Sequence, residues 1–388
     1  MDDAVQRGLQ PYDLFSSGYK PELDGLRAVA VSFVALDHYL PMIFPGGFVG
    51  VDLFFVLSGF LITSLLANEL GDTGGVNLKD FYWKRALRLT PALFAMLSAY
   101  LCGIIVYVAW SHKFQFAETH LWAISAAATY LMNWNLALGI GTGGFIEHTW
   151  TLGIEEQFYL IWPLLLIFLW RRLTRIELGI LCFVLILLSS GWRMYLWYHH
   201  LGTVPASQSA MRIYMGFDTR ADSLLVGCFL ALFPLKETLR ERIASSVGLP
   251  IVSIVISLFL MTWDGVPYQL GSCLVAVCAG WIVVAVLTNR QSLVARGLRL
   301  RPMIYFGRIS YGFYLWHEPI WFALGWFVPN LEFTQAALAM TLSFAASATS
   351  YHLMEVPLRR YRPIVSSKPL EACSAMPAGG PRTGGSFK

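Results

Sequence analysis

The sequence predicts an all-α integral membrane protein of about ten transmembrane helices, both termini cytoplasmic, with one long external loop carrying a re-entrant or interfacial segment. Three observations lead there. Of the 388 residues, 56% are hydrophobic and only 13% charged, where a soluble domain carries about 25% charged residues. Apolar runs close to the length of a bilayer crossing recur with helical rather than alternating periodicity. Basic residues gather in every second connection, the asymmetry that orients membrane helices.

The first 24 residues are polar and lack the basic start, apolar core and small-residue exit of a cleavable signal. The first apolar run is therefore expected to remain as an anchor. Candidate spans follow at 25–43, 46–67, 89–111, 154–171, 177–197, 219–235, 247–263, 268–288, 303–327 and 334–354. A further apolar run, 120–138, is interrupted by Asn133 and Asn135. Loop charges decide whether it crosses. If it does not, the N-terminal side collects Lys79, Lys84, Arg85, Arg88, Arg171, Arg172 and the basic clusters at 236–242, 290–301 and 359–362. The opposite side then keeps only Lys113 and Arg212. Positive-inside asymmetry thus makes 112–152 an external loop. The expected organisation is a cytoplasmic segment 1–24, a membrane domain 25–360 and a disordered cytoplasmic tail 361–388 rich in Ser, Pro, Gly and Ala. The expected location is the inner (plasma) membrane, with the lipid bilayer as surroundings and no nucleic-acid partner.

Of the six cysteines, five lie inside apolar runs and none forms a CxxC pair, so inert thiols are expected and no metal site. The informative residues are ionisable groups at membrane depth, which are expensive there. In the first span, "DGLRAVAVSFVALDH", Arg27 and His38 differ by about 20° around the helix and stand about 16 Å apart along it. Asp24 lies within about 40° of the line through His38. One stripe thus carries an acid and a cation at the inner mouth and an imidazole in the outer half. Arg27 equally fits an interfacial anchor.

The second span, "GGFVGVDLFFVLSGFLIT", holds Gly46, Gly47, Gly50 and Gly59, which permit close helix approach. Asp52 is expected at a depth similar to His38, where a carboxylate would fix the imidazole's tautomer and raise its basicity. Ser58 is expected to bond its own helix backbone. In "KDFYWKRALRLTPAL", Arg85 and Arg88 stand three apart, on one face if helical. They read either as inside-facing topology markers or as an anion site, because guanidinium forks suit phosphate oxygens.

These segments together resemble the acyltransferase-3 family of bacterial integral membrane acyltransferases. The resemblance rests on "PELDGLRAVAV…DH", "GGFVGVDLFFVLSGFLIT", "FYWKRALRLTPAL", "HTWTLGIEEQFYLIWPLLL", "RADSLLVG", "FGRISYGFYLWHEPI" and "YHLMEVPLRR", in family order across 21–360. The family's arginine followed after ten residues by a histidine is matched by Arg27 and His38. Its Arg-x-x-Arg is matched by Arg85 and Arg88. The resemblance implies transfer of an acyl group, usually acetyl, from cytoplasmic acyl-coenzyme A as co-substrate to a hydroxyl. Acceptors in the family are carbohydrates, such as envelope polysaccharide or lipopolysaccharide sugars, or secondary metabolites such as macrolides. Some members add a C-terminal extracytoplasmic hydrolase-like domain, which the short tail here is not expected to supply.

On that reading Arg27, Arg85 and Arg88 bind the donor's phosphates, and His38 is the general base, oriented by Asp52 or Asp37. Acceptor-side contacts are expected from Trp150, Glu155, Glu156, Arg220, Asp222 and His317, with satisfied burial the competing reading for His317. A multi-span transporter or flippase is the rival class, because polar residues at depth also mark solute paths. Against it, neither an inverted repeat nor paired broken helices is evident.

Overall fold

A computed structural model describes residues 18–200, 206–261, 271–327 and 332–361. The expected terminal segments 1–24 and 361–388 lie outside the described residues except for 18–24 and 361, and Cys373 lies outside them as well. Among the described residues every regular element is helical and no strand occurs.

α1 (Pro21–Tyr39) begins on a proline, with Glu22 and Asp24 in its first turn, and stops just before Leu40-Pro41. Proline suits the first helical position, and the residue before a proline is steered out of the helical region. α2 (Val49–Thr73) ends at Gly74, whose φ of +72° closes the helix in the left-handed region open to glycine. α3 (Leu78–Ser111) is capped by Asn77, whose side chain accepts from the Asp80 amide at 3.1 Å. That cap starts the helix well ahead of the apolar run expected from 89, and Pro91 lies inside it. Arg85 and Arg88 therefore sit on a helix rather than in a loop.

The ambiguous run breaks in two. α4 (Phe114–Ala128) and α5 (Met132–Ala137) are separated by Thr129–Leu131, where Tyr130 has φ +56°. Asn133 and Asn135 are buried against protein, bonded to Gln157 and to the Trp122 indole respectively. Neither helix is long enough to span.

A 3-10 turn (Gly144–Thr149) leads into α6 (Trp150–Trp170), followed by α7 (Arg175–His200), α8 (Ala206–Met215) and α9 (Phe217–Leu232). α10 (Glu237–Ser245), α11 (Gly248–Leu260), α12 (Ser272–Thr288), α13 (Leu293–Leu298), α14 (Arg301–Phe327) and α15 (Glu332–Ser350) complete the main elements. A helix thus lies over each of the ten apolar segments. Among the described residues, α2, α3, α6 with its leading turn, and α7 are long and apolar enough to cross a membrane. α10 with α11 makes a fifth candidate as a pair bent by 50°. This is the helix set of a multi-pass membrane protein.

Lipid offers no hydrophobic drive between helices, so contact surfaces rely on small residues and close packing. α9 packs on α2 and α7, and α14 on α1 and α15. At the α2–α9 contact a Cβ on Gly59 would lie 1.9 Å from the Leu224 carbonyl oxygen. At the α1–α14 contact a Cβ on Gly307 would lie 1.8 Å from the Asp24 carbonyl oxygen. These two crossings hold the helices carrying the polar residues at fixed register.

Candidate active site

A chamber of about 1190 Å³ opens where α2 gives way to α3, beside Glu69, Asp72, Asn77 and Lys84. Arg27 of α1 and Arg85 and Arg88 of α3 line it together, although the first lies far from the others in sequence. The Nε atoms of Arg27 and Arg85 are buried without a hydrogen-bond partner. The Arg85 guanidinium lies over the Tyr159 ring, 3.3 Å from its centre. Buried cations are ordinarily paired; here Arg27 and Arg85 each keep an unused buried donor, with Arg88 on the same wall, a chemistry that suits an anion. The wall continues along Phe54, Phe55, Leu61 and Ile62 to Thr151 and Tyr314.

Beyond Tyr314 lies a second polar group, built by the far end of α1, the turn before α6, and α14. His317 Nδ1 is 2.6 Å from the Tyr314 backbone carbonyl. That oxygen only accepts, so Nδ1 carries the proton and Nε2 of the neutral ring is an acceptor. His317 Nε2 is 3.0 Å from His38 Nδ1, which therefore donates. The lone pair of His38 is thereby left on Nε2, where the ring accepts rather than donates. Glu318 Oε2 accepts from the His148 backbone N–H at 3.0 Å and pairs closely with His148 Nδ1. Its other oxygen, Oε1, faces His38 Nε2 across 3.7 Å, too far for a direct hydrogen bond but bridgeable by a hydroxyl. The His38 side chain is 31% exposed, against 1% for that of His148. Only His38 of this pair is open to an incoming group.

The expected orienting carboxylates lie elsewhere. Asp52 pairs with Arg220 at 2.9 Å and accepts from Ser223 at 2.7 Å, both on α9. Asp222 pairs with Arg193 at 2.7 Å and accepts from Ser190. All four ionic groups are buried, so Arg220 and Asp222 tie α2, α7 and α9 together and are not presented to an acceptor. The cause is rotational: the Gly59 crossing turns Asp52 toward α9, whatever its depth. Asp37 is buried against the Gly47 backbone. Asp24 is held by Tyr19 at 2.6 Å and by Arg308 at 3.7 Å.

On α6, Glu155 joins the chamber with the arginines rather than the acceptor side, and Ser58 donates to its carboxylate instead of to its own helix backbone. Glu156 is half-buried, with Arg85 as an electrostatic neighbour. Trp150 packs between Phe55 and Tyr214. His317, expected on the acceptor side, instead bonds directly to His38. His148, Glu318, Thr151 and Tyr314 were not singled out from sequence. His148 and Glu318 occur within "HTWTLGIEEQ" and "YLWHEPI", where an ionisable residue beside apolar runs was the available signal. Among the described residues no group of three or more His, Cys, Asp or Glu side chains is placed to hold a metal ion.

An acyltransferase-domain family profile matches residues 20–352, which include both polar groups. The peptidoglycan O-acetyltransferase OatA of Listeria monocytogenes is 34% identical over 370 residues, covering 89% of this chain and 57% of that protein. The O-acetyltransferase OatA of Staphylococcus aureus is 32% identical over 364 residues, covering 89% of this chain and 58% of that protein. The chain thus spans somewhat over half the length of these relatives. No solved structure matches it. With the profile running from the foot of α1 through α15, the chain belongs to the acyltransferase-3 family.

Proposed function

We propose that the protein is a membrane O-acetyltransferase that moves acetyl from cytoplasmic acetyl-coenzyme A to a carbohydrate hydroxyl presented at the outer face of the plasma membrane. The observation that carries this reading is the two-ended polar path. Three arginines, two of them with an unused buried donor, line a chamber at one end of α1, and a histidine whose Nε2 carries the lone pair stands at the other end. The span between them, about 16 Å along the helix, suits an extended pantetheine arm.

The donor's phosphates bind Arg27, Arg85 and Arg88, and its arm runs along the apolar chamber wall toward Tyr314. The acceptor hydroxyl sits between His38 Nε2 and Glu318 Oε1. As its oxygen attacks the thioester carbon, its proton passes to His38, the C–S bond breaks, and the thiolate leaves to be protonated. Glu318, braced by His148, stabilises the imidazolium so formed. Loop charge supports ten crossings with both termini and the chamber mouth cytoplasmic. The name of the Listeria monocytogenes relative makes a peptidoglycan sugar the first acceptor to test.

The test is incubation of purified protein in detergent with acetyl-labelled acetyl-coenzyme A and, separately, muramidase-released peptidoglycan fragments, lipopolysaccharide core sugars and a macrolide. Label in the peptidoglycan arm is the expected result. Label in another arm moves the acceptor assignment. Intact donor in all arms, with no donor binding, overturns the reading. Transfer without a sealed membrane also excludes pure transport.

A further inference from the structure

Tyr314 is where the two halves of the site meet. Its side chain lines the arginine chamber and is buried to 6% exposure. Its ring lies 5.2 Å from that of His148 and 5.3 Å from that of His317. The hydroxyl donates to the His148 carbonyl at 2.6 Å and accepts from Thr151 at 2.8 Å, while Phe54 abuts the ring at 6.4 Å. His38 itself does not line the chamber. A thioester at the chamber's inner end therefore meets a tyrosine wall before it meets the histidine.

We propose that Tyr314 is a partition that decides whether acetyl goes to the acceptor or to water. The inference rests on the acetyl-coenzyme A reading above. With its hydroxyl fastened to His148, the ring separates the thioester from the exposed His38 side. Release of that hydrogen bond lets the acetyl group reach His38, and the contact re-forms after turnover. The hydroxyl links α14 to the turn before α6 and to Thr151 on α6, and these are the bonds whose breaking opens the gate. Without the wall, water bridging His38 and Glu318 takes the place of the acceptor. Its oxygen attacks the thioester, His38 takes its proton, and the products are acetate and the coenzyme thiol.

The test measures thiol release from acetyl-coenzyme A by the full chain in detergent, with and without muramidase-released peptidoglycan fragments, alongside donor binding. Tyr314→Ala removes the wall. Tyr314→Phe keeps the ring and loses the link to His148, and carries the test alone if the alanine variant does not fold. Acceptor-free thiol release is expected to rise about tenfold or more in Tyr314→Ala and several-fold in Tyr314→Phe, and the acetyl transferred per thiol released to fall. A side chain with only a structural role lowers both activities together. Such a parallel loss, or an unchanged ratio in both variants while wild type transfers acetyl, overturns the partition and leaves the donor reading standing. Bound donor with no acceptor-free release from either variant overturns the partition equally. Absence of donor binding in wild type overturns the donor reading, and the partition with it.

Discussion

Arg27→Met separates a prepared anion site from an ordinary structural arginine. The arginine lines the chamber with a buried, unpartnered Nε, and Arg85 and Arg88 line the same wall. A hydrogen bond to a charged group is worth roughly 1.5–3 kcal/mol, so losing one to a donor phosphate weakens binding about 10- to 150-fold. Methionine keeps the length of the stem and its contacts with the helix face. Arg27 Nε is unpartnered, and removing one of three like charges leaves Arg85 and Arg88 to face Glu155, so thermal stability is expected to hold or rise. Titration of acetyl-coenzyme A into wild type and variant in detergent reads the first quantity, and thermal unfolding of the same samples reads the second. The maximal rate at saturating donor should stay within a few-fold of wild type, because the residue acts about 16 Å from His38. Unchanged donor affinity with a lowered unfolding temperature would show that Arg27 supports the fold and would refute the anion-site reasoning.

Asp52→Ala leaves Arg220 buried without its carboxylate and is expected to cost about 3–5 kcal/mol, seen as a markedly lower unfolding temperature in detergent. Retained stability would mean that the Asp52–Arg220 pair does not clasp α2 to α9. Gly307→Ala drives a methyl into the Asp24 carbonyl and is expected to destabilise the α1–α14 crossing by about 1–3 kcal/mol or more, again read by unfolding. Wild-type stability there would show that the two helices stand further apart than described.

The long apolar helices were legible because a crossing needs about 20 apolar residues, and four helices, or five with the bent pair, meet that length and composition among the described residues. Their starts were less so: Asn77 caps α3 well before hydrophobicity rises, and a cap acts through one hydrogen bond rather than through composition. The Arg27–His38 stripe was readable because both residues belong to one helix, whose geometry fixes their relation. The partners of His38 were not, since Glu318 and His317 lie far along the chain and their rotation toward α1 depends on the Gly307 crossing. Asp52 shows the same limit from the other side: its depth was inferred, but the α2–α9 contact sets which way it faces. A cue was present in Arg220 and Asp222, because ionic residues at membrane depth require partners and Asp52 is a carboxylate available for one of them. Ser58 and Glu155 met for a comparable reason, one on α2 and the other on α6, where no spacing rule connects them.

The most direct measurement of the central claim is acetyl transfer by His38→Ala, made on the same preparation as donor binding. The account predicts acetyl-coenzyme A affinity within about twofold of wild type, because the phosphates bind at the opposite end of α1. It predicts transfer reduced by about 10² to 10⁴, the usual contribution of a general base. Transfer at the wild-type rate would contradict the account, since no other ring nitrogen of the histidine group is both open and free to take the acceptor's proton.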